Sequence, residues 1–221
     1  MDLGLAGKVA LVTGGSKGIG QATALALAQE GVQVTICARG VEALQQTAND
    51  IQTKTGRKVL TVRADMTSLE DIKQLVATTV QELGGLDILV NNAVNSIPGT
   101  FLELPDDAWV NHINVKILGY VRCAREAIPQ LIRRGGGCII NIGGMAARNV
   151  GHLTNSNGVT NAAVANITKN LSDQVAPHHF LVNCIHPRTT RTPRQAAILE
   201  RRARDTGVSL AEAERSTVQH I

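Results

Sequence analysis

Residues Val9 to Gly20 read V-A-L-V-T-G-G-S-K-G-I-G, and the fold turns on this stretch. Val9, Ala10, Leu11 and Val12 form a short apolar run of the kind a buried strand needs. A glycine-rich turn follows, and Gln21 to Glu30 then read as an Ala/Leu-rich helix. Strand, glycine turn and helix in this order suit a dinucleotide. Glycines let the backbone bend sharply and approach a pyrophosphate, and the helix N-terminus aims oriented N–H groups at the anion. A plain βα turn uses glycine as well. The flanking strand and helix favour the dinucleotide reading here.

Outward from that turn, apolar runs alternate with longer amphipathic stretches. Strands are predicted near 8–13, 32–37, 58–63, 86–91, 137–142 and 180–185. Helices are predicted near 18–30, 41–54, 68–83, 106–134, 156–175 and 194–217, the last broken around Gly207. This alternation predicts an α/β fold, a single-domain doubly wound parallel sheet with helices on both faces. The 221 residues, 43% of them hydrophobic, suffice for one good core. Aromatics are only 2%, so that core must be aliphatic. No repeat, low-complexity segment or linker divides the chain, and Gly135-Gly136-Gly137 reads as a helix stop.

The net charge of +4 owes much to late arginines: Arg188, Arg191, Arg194, Arg201, Arg202 and Arg204. Aromatics that would stack on bases are missing, so nucleic acid is not an expected partner. The cluster reads as a solvated helix face, or as a face for an anionic ligand. The four cysteines Cys37, Cys123, Cys138 and Cys184 show no C-x-x-C pairing, and three fall in predicted buried strands as small apolar groups. No metal site is read. Met1 to Gly7 is too short for a secretory signal, and no apolar run approaches a membrane span. A cytoplasmic protein is expected.

Thr13, Gly14, Gly18, Ile19 and Gly20 spell T-G-x-x-x-G-I-G, which resembles the short-chain dehydrogenase/reductase family. The resemblance continues through Asp65, Asn91-Asn92-Ala93, Asn114, Ile139-Ile140-Asn141-Ile142 and Val182-Asn183-Cys184-Ile185-His186-Pro187. It implies a Rossmann-like domain whose cofactor-binding residues are Gly14, Ser16, Lys17, Gly18, Ile19, Gly20, Arg39, Asp65, Met66, Asn91 and Thr192. The second strand ends Cys37-Ala38-Arg39-Gly40, and no carboxylate appears until Glu42. A carboxylate there would accept from an NAD ribose. Lys17 and Arg39 suit a 2′-phosphate instead, so NADP(H) is the preferred cofactor, with two ordinary surface cations as the other reading. Asp65 reads either as an adenine contact or as a cap for the helix that Ser68 opens. Val94 stands where the family has glycine, and a branched residue resists positive φ.

The resemblance also implies a catalytic set of Ser, Tyr, Lys and Asn. A phenol has a pKa near 10, so the Tyr needs a cation beside it, and i, i+4 spacing supplies one from the same helix face. Ala162-Ala163-Val164, Thr168-Lys169 and Leu171 match the family's run after the lysine. That frame puts Asn161 at the lysine position, Asn157 at the tyrosine position and Gly144 at the serine position (157 − 144 = 13). Only Asn114 remains of the set. Asn cannot donate a proton and Gly polarises nothing, so carbonyl reduction or alcohol oxidation is expected to be lost or strongly impaired. A working enzyme using other groups, with His152, Ser156 and Thr160 nearest in sequence, is the alternative. A regulatory or structural partner of an active relative is another. Lys169 is expected out of reach and Tyr120 to be a packing residue. Pro187-Arg188 replaces the family's Pro-Gly and adds charge beside the nicotinamide. The helices 106–134 and 156–175 resemble the family's pairing face, implying a homo-oligomer or pairing with a related chain. Family members run on to a seventh strand, and its absence predicts an apolar sheet edge at Phe180–Ile185.

Overall fold

The computed structural model describes residues 1–151 and 154–218. Strands β1 (Val9–Thr13), β2 (Gln33–Ala38), β3 (Val59–Arg63), β4 (Ile88–Asn91), β5 (Gly137–Ile142) and β6 (Phe180–Ile185) form one parallel sheet in the order β3-β2-β1-β4-β5-β6. The helices are α1 (Gly18–Gln29), α2 (Val41–Thr55), α3 (Leu69–Leu83), α4 (Asp106–His112), α5 (Gly119–Arg133), α6 (Asn155–Val175), α7 (Pro193–Thr206) and α8 (Leu210–Val218). The chain winds outward from β1 to β3, then returns and winds the other way from β4 to β6. The reversal leaves a crevice past the carboxyl ends of β1 and β4, where ligands of such sheets lie.

Side chains alternate across each strand, and here both faces are covered. Leu11, Cys37, Leu89, Ile139 and Val182 pack toward α3 and α5. Ala10, Val12, Val34, Ile36 and Val90 pack toward α1 and α2. Local signals end the helices where expected. Gly56, Gly84 and Gly207 stand at positive φ past α2, α3 and α7. Ser68 caps α3 by accepting from the Asp71 N–H, so the cap is not Asp65. Asp65 instead forms its own turn, with Oδ1 accepting from Thr67 N–H and Oγ1.

The predicted helix 106–134 is interrupted. Residues Ile113–Leu118 form a π-helical segment between α4 and α5. One wide turn shifts the helical phase and carries Lys116 inward. Cys138 and Cys184 are half-buried rather than core residues, and Cys184 lies on β6 at the sheet edge. Leu181 and Ile185 of that edge are exposed. Val94 lies at negative φ, since His179 is the one non-glycine residue at positive φ among those described. The feared strain is absent.

One buried charge pins the start of the sheet. The Asp87 side chain is 4% exposed and accepts from the Val9 N–H at 2.9 Å and from Arg134 at 3.0 and 3.2 Å, with Lys8 at 3.5 Å. Burial pushes its carboxyl up, but the Arg134 bonds, the Val9 N–H and both cations outweigh this and hold it below the usual range. Asp87→Ala is therefore expected to cost about 1–3 kcal/mol in denaturant unfolding, because it leaves the buried Val9 N–H without its acceptor, whereas the exposed Arg134 and Lys8 return to water. The same group makes stability pH-dependent. Its contribution is fully present above the unfolded value of 3.8 and is lost as pH falls through the lower folded value.

Candidate active site

The glycine turn closes over the carboxyl end of β1 and is tied to the end of β4. The Thr13 hydroxyl accepts from the N–H groups of Asn92 and Ala93, and the Asn92 amide donates to Thr13 O and Gly14 O. Gly14 and Gly18 stand at φ 65° and 60°, where a side chain would be strained. A Cβ on Gly14 would come within 2.9 Å of Ala93 Cα. These constraints hold the backbone open for a ligand rather than for packing.

A cleft of about 440 Å³ lies there, within the usual range for a cofactor site. Gly14, Ser16, Lys17, Gly18, Ile19, Arg39, Asp65, Met66 and Thr192 all line it. Two expected residues do not. Gly20 is buried inside the turn, and its role is to let Gly14 and Asn92 approach. Asn91 points into the sheet, where its Nδ2 donates to Asn141 Oδ1, and Asn92 takes the place on the wall. Lys17 and Arg39 are exposed cations without an ion pair among the described residues. The Cys37 thiol also lines the cleft, but burial pushes it up to about 12, so it stays protonated. Arg194 reaches back from the start of α7 and donates to the Ser96 hydroxyl in the loop after β4.

Past the carboxyl end of β5, Gly144 stands in extended backbone, and its N–H donates to His186 Nδ1. A Cβ on Gly144 would meet Asn161 Nδ2 at 2.7 Å, and one on Gly143 would meet the His186 ring at 2.7 Å. Both glycines are therefore filled in from the side by these two groups. Asn161 is buried, and its Oδ1 has no partner. Asn157 is half-buried one turn earlier on α6. Asn114 lies in the π segment, and its Oδ1 accepts from Arg122 at 2.7 Å. The other substitutes fare differently. Ser156 and Thr160 are buried against His112, at 3.1 Å from Nδ1 and 3.4 Å from Nε2. His152 lies outside the described residues. Lys169 pairs with Asp173 on the surface, and Tyr120 is buried with its hydroxyl donating to Ile142 O.

Two residues of this region escape a sequence reading. Burial, then Lys116 and Arg194, pushes the His112 imidazole down to about 4, so it is neutral. Lys116 is 4% exposed, and its Nζ donates to Gly143 O at 3.4 Å. The one available signal was the run Ile113-Asn114-Val115-Lys116-Ile117-Leu118, too apolar for a solvated helix face.

A family model described as short chain dehydrogenase matches residues 8–203. The chain belongs to the short-chain dehydrogenase family. Among its relatives is dehydrogenase/reductase SDR family member 4 of Oryctolagus cuniculus, 31% identical over 205 residues, which span 92% of this chain and 78% of that protein. The L-sorbose reductase of Gluconobacter frateurii, solved with NADPH and L-sorbose, is 33% identical with a TM-score of 0.94, covering 100% of this chain and 84% of that one. A xylitol dehydrogenase bound to NAD+ is 27% identical with a TM-score of 0.85, covering 90% and 77%. The short-chain dehydrogenase fold thus carries either nicotinamide dinucleotide among these neighbours. No helix among the described residues is long and apolar enough to cross a membrane.

Proposed function

We propose that this short-chain dehydrogenase binds NADP(H) and lacks the family's tyrosine-dependent route for reducing carbonyls or oxidising alcohols. The observation that carries the cofactor reading is the pairing of Lys17 and Arg39 on one cleft wall with no carboxylate at the end of β2. Two cations with no acidic partner suit a 2′-phosphate and offer an NAD ribose nothing to accept its hydroxyl protons. Gly14, Gly18 and Ile19 would receive the pyrophosphate at the N-terminus of α1, Asp65 and Met66 would flank the adenine, and Thr192 would meet the carboxamide. When bound, the dinucleotide supplies or accepts the hydride. The loss of the common route rests on Gly144, Asn157 and Asn161, none of which can hold a proton for transfer. The protein is proposed to work in the cytoplasm, paired with itself or with a related chain.

Fluorescence titration separates the cofactors. NADPH is expected to bind more tightly than NADH. Arg39→Ala should weaken NADPH by about 10- to 100-fold, the worth of about 1.5–3 kcal/mol for a charge-assisted bond, and leave NADH unchanged. Equal affinity for both nucleotides in the wild type would overturn the NADP reading.

A further inference from the structure

We infer that Arg194 clasps the diphosphate of the bound dinucleotide from the solvent side, opposite the N-terminus of α1. The inference rests on the dinucleotide reading above, but not on the choice between NADP(H) and NAD(H). Both walls of the cleft stand on the glycine turn. A Cβ on Gly18 would meet the Thr192 methyl at 3.2 Å, and one on Gly14 would meet Ala93 Cα at 2.9 Å. Arg194 follows shortly after Thr192, and Ser96 shortly after Ala93. Their side chains meet, with the guanidinium Nη2 donating to the Ser96 hydroxyl. Glycine turn, two walls and this bond therefore close a ring across the cleft. Its floor is the N-terminus of α1, which has neither a side-chain cap nor an acidic residue in its first turn. Its roof is Arg194, which lines the cleft yet is exposed at its mouth.

The charges of the cleft point the same way. Its lining holds three cations, Lys17, Arg39 and Arg194, against the single carboxylate of Asp65. A 2′-phosphate would take Lys17 and Arg39, which leaves Arg194 without an anion. No carboxylate among the described residues pairs with it, and Ser96 occupies only one of the N–H donors of its fork. Of the six late arginines, Arg194 is the one on the cleft wall, so the anionic-ligand reading of that cluster narrows to this residue. Its base is firm. Pro193 opens α7, and the Thr192 hydroxyl caps it by accepting from the Gln195 N–H at 3.2 Å. A planar guanidinium held in this way suits the paired oxygens of a diphosphate better than a lysine would.

Sheet order separates Arg194 from the other two cations. Arg39 follows β2, on one side of β1, whereas Ser96 follows β4, on the other. The bond to Ser96 thus holds Arg194 to the opposite half of the cleft, above the glycine turn that the two halves share.

The test compares three nucleotides: NADPH and NADH by fluorescence titration, and ADP-ribose by displacement of NADPH. Arg194→Met should weaken all three alike, by about 10- to 100-fold, because each carries the diphosphate. Stopped-flow measurements should place most of that loss in the dissociation rate. Arg194→Lys should recover part of it, since an ammonium keeps the charge but not the fork. Arg204→Met removes an exposed cation from the same helix, outside the cleft, and should change none of the three. Arg39→Ala supplies the contrast, weakening NADPH alone. Loss confined to NADPH would assign Arg194 to the 2′-phosphate. Loss that spares ADP-ribose would assign it to the nicotinamide half. Unchanged affinity for all three would leave it to a substrate anion, and an equal loss in Arg204→Met would reduce it to general charge attraction. Each of these outcomes overturns the clasp and leaves the dinucleotide reading standing. If the natural chain binds none of the three, both fall together.

Discussion

Gly20→Ala is expected to abolish dinucleotide binding, with NADPH affinity down at least about 100-fold, and to cost about 1–3 kcal/mol of stability through overpacking. The added methyl would lie 2.3 Å from Gly14 O and 2.5 Å from Asn92 Nδ2. Neither neighbour can yield cheaply. Gly14 O is backbone at the head of the turn and already accepts from Asn92, whose amide also holds Thr13 O. Relief requires the turn to lift from β4, which moves the N–H groups that would face the pyrophosphate. A control isolates the effect. Gly40 has negative φ and open space around its missing Cβ, so Gly40→Ala should leave stability nearly unchanged. Thermal unfolding and NADPH fluorescence on both variants decide the matter. Wild-type affinity in Gly20→Ala would mean that the cradle is not where the nucleotide sits.

The contrast between Gly20 and Lys116 shows why some of this protein was readable from its residues and some was not. The glycine turn is local chemistry. Its strand, its bend and its helix lie within a dozen residues, and each is specified by nearest neighbours. The same holds for the six strands, whose apolar runs set both sheet faces at once, and for the stop at Gly207. The π segment is different. It lies between α4 and α5 inside one continuous helical run, and no propensity of Ile113–Leu118 announces it. Asn91 and Asn92 are a finer case. Alternation along a strand decides which faces the cleft, and a one-residue error in the strand end exchanges them. Resemblance alone could not say that Gly143 and Gly144 are packed shut by His186 and Asn161.

Installing the residues that the resemblance implies, as Gly144→Ser, Asn157→Tyr and Asn161→Lys, is expected to raise NADPH-dependent carbonyl reduction by about 10²–10⁴-fold over the natural chain. The structure dictates the order. Gly144 has extended backbone that accepts serine, but its Cβ would meet Asn161 Nδ2 at 2.7 Å. Gly144→Ser alone should therefore destabilise, and Asn161→Lys relieves it by replacing a branched amide with an unbranched stem. Gly143 must stay, because a Cβ there meets His186. Asn157→Tyr alone supplies a phenol without the cation that lowers its pKa, so it should gain little. The ammonium that Asn161→Lys introduces also enters a region that already holds Lys116, and two such groups there repel. The triple variant should consequently gain further when Lys116→Met is added. That further gain is the decisive reading. If Lys116→Met is harmful in the triple variant, the two ammonium groups do not compete for one place. If the triple variant stays silent with NADPH bound, the obstruction lies elsewhere, at the charged Arg188 or at Arg194 across the cleft.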